Sequence, residues 1–195
     1  METQRNFLRN PLPTLPWICP TCRGVRTPGF DYCYPCQEHQ TTSGGLLADV
    51  VAPIAYSPRT GQHHHHLRLY KSTPGSAQAH PHPLQDLIGD RLGLPWLTAL
   101  SNPRHGSETR TFQRDWFTVQ LPVESVNVRP LVLDDTWTTG SRAQSLAYAL
   151  KSAGASSVAV VVLGRHIRPE HAASRPLLKA IEDPMFDPAK CAVER

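Results

Sequence analysis

The chain has 195 residues and a formal net charge of +4. This length predicts one main domain with room for a small additional module. No apolar run is long enough to span a membrane, and the first residues lack a signal-peptide pattern, so we expect a cytoplasmic protein without membrane contact. Because lysines and arginines are scattered, the charge allows an anionic ligand but supports nucleic-acid binding only weakly.

The first motif in chain order is a pair of cysteine pairs with the spacing C-x2-C-x10-C-x2-C. Such pairs can place four thiolates at the corners of a tetrahedron, the geometry of structural zinc, and metal ligation would supply folding energy that so short a segment lacks. The alternatives are four free thiols or two disulfides, which require an oxidising compartment. We predict a structural zinc ribbon in residues 1–45, with the ligands Cys19, Cys22, Cys33 and Cys36. Cys191 is isolated and is predicted to be an ordinary thiol.

Residues 46–195 are predicted to form the main domain. Four consecutive histidines, 63–66, could bind a metal, but neighbouring side chains cannot all point the same way, so we predict a solvated loop. Residues 72–83 are rich in proline, glycine, serine and histidine and also predict a loop. Helical spacing resumes at Leu84, Leu87, Ile88 and Leu92.

The second motif follows an apolar stretch. Residues 128–133 predict a buried strand that stops at two carboxylates, residues 142–154 have helical spacing with Gly154 as a plausible C-cap, and residues 157–163 predict another buried strand. This order predicts a βαβ unit with parallel strands. Ligands of such sheets bind beyond the C-terminal strand ends, where residues 134–141 are expected to lie.

Residues 134–141 suit a ligand that carries both hydroxyls and a phosphate. Carboxylates accept hydrogen bonds from hydroxyls, and the N–H groups of a loop and of a helix N-terminus hold a phosphate. The alternative is a polar strand-to-helix turn in which Thr139 or Ser141 caps the helix. Neither a G-x-G-x-x-G nor a G-x-x-x-x-G-K-[ST] motif is present.

The stretch LVLDDTWTTGS, from residue 131 to 141, resembles the phosphoribosyl diphosphate (PRPP) motif of type I phosphoribosyltransferases. In that family the acidic pair contacts the ribose hydroxyls and the loop holds the 5′-phosphate. The resemblance assigns the first role to Asp134 and Asp135, and it leaves Trp137 at a variable loop position. It assigns the second role to Thr136, Thr138, Thr139, Gly140 and Ser141.

Together, the four cysteines and this motif resemble the ComF-type phosphoribosyltransferase-like family, which is linked to bacterial DNA uptake. That family has a strand near Val50, followed by a loop and then a pattern matched here by Leu67, Leu69, Tyr70 and Lys71. The resemblance implies an α/β fold with a type I phosphoribosyltransferase-like parallel sheet. It further implies that PRPP or a nucleoside 5′-monophosphate binds, that magnesium accompanies PRPP, and that phosphoribosyl is transferred to a nitrogen nucleophile.

The chain departs from this family after Lys71. Relatives continue with a helix and with a strand whose end holds the pyrophosphate, whereas this chain has the polar loop 72–83. We therefore expect a shortened sheet, and ligand binding with weak or no turnover; no general base stands out. The alternatives are a non-catalytic ligand-binding module that holds a protein partner on its zinc ribbon, and a DNA-uptake-associated protein that acts through the ribbon.

The roles of three further groups stay open. Arg104, His105, Arg110 and Arg114 predict either a basic rim for phosphates or a solvated surface. Arg165 and His166 follow the last strand and either approach the ligand or have capping or surface roles. The apolar residues that predict a final docked helix are Leu177, Leu178 and Ile181.

Overall fold

The computed structural model describes residues 7–72, 83–106, 108–121 and 127–193. It is an α/β fold, as predicted, with a three-stranded parallel sheet and a separate pair of short antiparallel strands. The helices are α1 (Tyr34–Ser43), α2 (Gln62–Ser72), α3 (Pro83–Leu92), α4 (Ser141–Ser152) and α5 (Arg175–Ala180). The strands are β1 (Val50–Pro58), β2 (Ala99–Ser101), β3 (Phe117–Val119), β4 (Leu131–Trp137) and β5 (Ala159–Ile167).

The parallel sheet has the strand order β1–β5–β4, with β5 in the centre. Val160 and Val162 of β5 are fully buried, as expected for a central strand covered on both faces. The predicted strand–helix–strand unit is confirmed as β4, α4 and β5. The described part of the sheet has three strands, in agreement with the prediction of a shortened sheet.

The boundaries of β4 differ from the prediction. Because proline has no N–H to give to a sheet, the strand begins after Pro130, and it continues through the acidic pair to Trp137. Asp134 pairs with Val162 of β5, and Trp137 pairs with Arg165. The expectation that the strand ends before Asp134 is therefore wrong, because pairing with the longer β5 outweighs the low strand preference of aspartate.

Helix α4 agrees with the sequence pattern to within two residues at each end. It is followed by Gly154 at φ 106°, whose N–H donates to Lys151 O at 3.0 Å, while Ala155 N donates to Leu150 O at 3.0 Å. These two bonds form a Schellman motif, which satisfies carbonyls at the end of the helix. The stopping signal predicted at Gly154 is confirmed.

The four histidines do not form a loop. They occupy the first turns of α2, which packs on β1 and β5. His63 Nε2 lies 3.2 Å from Leu163 O, and the buried side chain of Leu67 lies over Gly164. The prediction is wrong because no proline or glycine interrupts residues 62–72, and contact with the sheet stabilises a helix that polar residues alone would not favour.

The predicted loop 72–83 is too wide at both ends, because Ser72 ends α2 and Pro83 begins α3. The residues between them lie outside the described part of the chain. The helical spacing that begins at Leu84 is confirmed as α3, with proline at its start, where a missing N–H costs nothing.

Two buried clusters hold the fold together. The first joins the four cysteines to the valines of all three parallel strands and to the inner face of α4. The second joins Ile18 and Tyr56 to Ile167, Leu177 and Ile181, so the predicted final helix, α5, is docked. The N-terminal cysteine segment therefore shares its core with the sheet. Among the described residues, no helix is long and apolar enough to cross a membrane.

Candidate functional site

The four predicted zinc ligands converge. Their sulfur atoms all lie within 4.8 Å of one another, and all four cysteines are buried. Cys19 and Cys22 lie in a tight turn in which Arg23 N donates to Cys19 O at 3.0 Å. Cys33 and Cys36 lie at the start of α1, so a turn and a helix N-terminus supply the two pairs.

The chemistry of this cluster fits a metal ion such as zinc. The sulfurs of Cys22 and Cys33 are 3.5 Å apart, far beyond a disulfide bond of about 2.05 Å. Hydrogen bonds from Cys19 and the other two thiols, with the charge of Arg165, hold the pKa of Cys22 well below its usual value, although burial opposes this. Gly24 N also points at Cys22 Sγ, at 3.4 Å. Tetrahedral thiolate sites of this kind are closed and structural.

The described residues contain no other convergent group of three or more metal-ligand side chains. The rings of His64 and His166 pack against each other with centroids 4.7 Å apart and an interplanar angle of 36°, while His63 faces a main-chain carbonyl. Burial and the neighbouring His64 and Arg165 lower the pKa of His166 to about 4. His63 and His64 therefore pack α2 onto the sheet, whereas His65 and His66 are exposed. Cys191 is exposed and lies outside the cysteine cluster.

The predicted phosphate-binding residues lie along the C-terminal half of β4 and the β4–α4 loop, residues 138–140. Asp134 and Asp135 are half-buried strand residues, and Asp135 N donates to Asp134 Oδ1 at 2.8 Å. Thr136 is also in the strand and pairs with Gly164. Gly140 is the N-cap of α4 and has no side chain to cap the helix. Ser141 N donates to Thr139 Oγ1 at 3.4 Å, and the N–H groups that follow it in the first turn of α4 suit an anion.

The two hydroxyls nearest the helix start already have a protein partner. Ser141 Oγ donates to Arg110 O at 2.6 Å, and Thr139 Oγ1 donates to the same oxygen at 3.2 Å. The two hydroxyl oxygens are 2.9 Å apart. His39 Nε2 on α1 lies 3.3 Å from Ser141 Oγ. The segment that carries Arg110 thus lies over the predicted phosphate loop.

Trp137 is buried, contrary to its assignment to a variable loop position. Gly140 has φ 81°, and a Cβ built there would lie 2.0 Å from Trp137 Cζ2. The indole therefore fills the space beneath the loop, and a glycine is required above it for both its backbone angle and its small size. The sequence signal for this packing is the Trp-x-x-Gly spacing at the end of a buried strand.

This packing predicts an effect on stability. Gly140→Ala should lower the free energy of unfolding by about 2 kcal/mol, from the positive φ and from displacement of Trp137. Denaturant unfolding measures it. Gly44→Ala is the matched control, because Gly44 also has a positive φ, 64°, but nothing within 4 Å of its Cβ position. If Gly44→Ala lowered the free energy of unfolding as much as Gly140→Ala does, the contact with Trp137 would be contradicted.

Two of the four residues of the predicted basic rim, His105 and Arg114, make intramolecular side-chain contacts. Arg114 donates to Thr42 O at 2.6 and 3.1 Å and lies over the ring of Tyr148, and His105 pairs with Asp115 at 2.8 Å. A surface depression of about 510 Å³ lies beside this segment. Its lining residues do not include the predicted phosphate residues; they are Thr41, Thr42, Phe112, Gln113, Arg114 and Asp115.

Arg165 is a contributor to the site that sequence reasoning left undecided. Its guanidinium donates to Cys22 O at 3.0 Å, and to Trp137 O and Thr138 O at 3.2 Å each. It therefore lies between the cysteine cluster and the β4–α4 loop. A side chain from one strand that contacts two segments far away in the chain leaves no local sequence pattern.

Comparison with known proteins found no matching protein-family model, no matching curated protein and no matching solved structure. The resemblance to ComF-type proteins therefore stays a prediction from the two motifs.

Proposed function

We propose that the protein binds PRPP or a nucleoside 5′-monophosphate at the C-terminal end of β4, and that zinc in the four-cysteine site has a structural role. The observation that carries this proposal is the acidic pair of β4 followed by an N-terminus of α4 without a side-chain cap, joined by a glycine with positive φ. Carboxylates suit ribose hydroxyls and the amides that begin α4 suit a phosphate, and ligands of parallel sheets bind beyond the C-terminal ends of the strands.

Ribose is the part of the ligand that the carboxylates fit. Asp134 and Asp135 are half-buried, so hydrogen bonds from ribose hydroxyls to these charges would be less screened by water than on an open surface. A nucleobase alone offers no vicinal hydroxyl pair. The acidic pair therefore favours a ligand that contains ribose over a free base.

Phosphate binding requires an exchange of partners. The Ser141 and Thr139 hydroxyls, which donate to Arg110 O, would donate to phosphate oxygens instead. This exchange is favourable because charged acceptors form stronger hydrogen bonds than a neutral carbonyl. Ligand binding should consequently move the segment around Arg110 away from the loop.

The non-catalytic variant of this function is favoured over transfer of phosphoribosyl. Turnover requires stabilisation of charge on the leaving pyrophosphate, in addition to binding of the 5′-phosphate. Residues 134–141 match the part of the family motif that binds the 5′-phosphate. The part that holds the pyrophosphate has no counterpart in the sequence after Lys71. Magnesium would accompany PRPP as the counter-ion of its pyrophosphate. An assay of pyrophosphate release with PRPP, magnesium and a panel of nucleobases tests for turnover.

Nucleic-acid binding through the ribbon is less well supported. The two arginines between the cysteine pairs both make intramolecular contacts. Arg23 is buried and donates to Ala192 O at 2.7 Å, and Arg26 donates to Phe30 O and Pro16 O at 2.8 Å each. These guanidinium groups stabilise the ribbon, so the segment lacks the exposed basic stripe that phosphate backbones require.

Asp135→Asn tests the proposed site. Loss of one carboxylate charge should weaken binding of PRPP with magnesium by about 1–1.5 kcal/mol, or roughly 5- to 13-fold, because a charge-assisted hydrogen bond becomes a neutral one of about half its strength. Isothermal titration calorimetry measures the affinity. Asp183→Asn is the control, since Asp183 is exposed and lies beyond α5. Equal affinity of both variants and wild type would rule out the acidic pair as the ribose site.

A further inference from the structure

Arg165 connects the four-cysteine cluster to the β4–α4 loop. From β5, its Nε donates to Cys22 O at 3.0 Å and its Nη2 reaches Cys22 Sγ at 3.5 Å, while Nη1 donates to Trp137 O and Thr138 O at 3.2 Å. A Cβ on Gly24 would lie 2.4 Å from Arg165 Nη2. The turn that contains Cys19 and Cys22 can therefore approach this guanidinium closely because residue 24 is a glycine.

A second contact runs from the same cluster to the same loop. Helix α1 begins at the second cysteine pair, and its buried His39 reaches Ser141 Oγ at 3.3 Å. Ser141 and Thr138 lie on either side of Gly140. Both ends of the loop are therefore contacted by side chains that also contact the cysteine segment, as Arg165 does, or belong to the helix that begins in it, as His39 does.

The arginine is suited to this role by its shape. A guanidinium carries donors in a rigid planar fork, so one side chain can bond to two segments at fixed separation, which a lysine ammonium does less well. A tetrathiolate zinc site carries a net negative charge, which the adjacent guanidinium offsets. When metal is lost, the turn that contains Cys19 and Cys22 is no longer constrained. The hydrogen bonds from Arg165 to the carbonyls of Trp137 and Thr138 then weaken as well.

We propose that Arg165 is a positioning residue that couples metal occupancy to the conformation of the β4–α4 loop. The metal then controls ligand binding without touching the ligand. The ligand part of this inference rests on the proposed function; the structural part, that metal orders the loop, does not.

Hydrogen exchange on the zinc-loaded full-length chain tests the structural part. Arg165→Ala should keep its zinc and raise amide exchange at residues 138–141 by about tenfold or more, the factor for loss of one charge-assisted hydrogen bond. The amides of Val160 and Val162 are the internal reference, because global destabilisation would raise exchange there too. Arg165→Lys should give an intermediate increase. Arg168→Ala, at an exposed arginine beyond β5, should leave the loop unchanged.

Chelation of zinc from the wild-type protein provides a second arm that needs no variant at Arg165. It should raise exchange at residues 138–141, and the affinity for PRPP with magnesium should fall by about tenfold or more in both the chelated protein and Arg165→Ala. If wild type binds no PRPP but the exchange differences occur, the proposed function fails and the coupling stands. Unchanged loop exchange in zinc-loaded Arg165→Ala, or in folded chelated protein, overturns the coupling.

Discussion

Removal of metal from the four-cysteine site is expected to destabilise the whole protein, not only its N-terminal segment. The cysteines belong to the same buried cluster as Val132, Val160 and Val162 of the sheet. Structural zinc supplies about 10–16 kcal/mol in isolated zinc-finger peptides at neutral pH. A loss of even about 5 kcal/mol would lower the melting temperature of a chain this long by roughly 10–20 °C.

Elemental analysis and calorimetric melting together measure this effect. Protein purified without added metal should contain about one zinc per chain, and Cys36→Ser should lose both the zinc and the stability. Cys191→Ser is the matched control, because Cys191 is an exposed thiol outside the cluster, and it should keep both. Zinc-free protein with disulfide-bonded cysteines, or one cooperative transition at an unchanged temperature after chelation, would contradict the structural role.

The order of β4, α4 and β5 could be predicted because each signal is local. The apolar run of β5, the helical spacing of α4 and the αL glycine at residue 154 all act on neighbouring residues. The C-terminal end of β4 could not be predicted, because it depends on pairing with β5. The same limitation explains α2, because its histidines give no helical pattern of their own and the helix is held by contact with the sheet.

The candidate site likewise contains residues that a local sequence pattern predicts and residues that only long-range contacts bring together. Cysteine spacing is a local pattern, so the metal ligands were predictable from the sequence, and their convergence is confirmed. The contacts of Arg165 join it to residues that are 27 to 143 positions away in the chain. The contact between His39 and Ser141 spans 102 residues, and those to the Arg110 carbonyl span up to 31. No spacing rule relates such positions. The roles of residues 134–141 in ligand binding stay a prediction from the motif.

The protein should lose stability in mild acid because of His39. Burial lowers the pKa of this histidine to about 4, below its ordinary value of 6.5, so the folded state keeps the ring neutral. At pH values above the ordinary pKa of 6.5, the His39 ring is neutral in both the folded and the unfolded state, so it does not change the free energy of unfolding. As the pH falls below it, the unfolded chain takes up a proton that the folded chain does not. The loss reaches about 2 kcal/mol near pH 5 and about 3 kcal/mol once the pH is below the folded pKa.

Denaturant unfolding of wild type and His39→Gln at several pH values isolates this contribution. Glutamine does not titrate and carries an amide nitrogen near the position of Nε2, so the contact with Ser141 Oγ can persist. Zinc is quantified at each pH, and only samples with equal metal content are compared, because protonation of thiolates also releases metal. His166 also has a pKa of about 4, and its effect cancels because both proteins contain it. The stability of wild type should therefore fall more steeply between about pH 7 and pH 5, by about 2 kcal/mol. Parallel pH profiles would mean that His39 is protonated in the folded protein or reaches solvent.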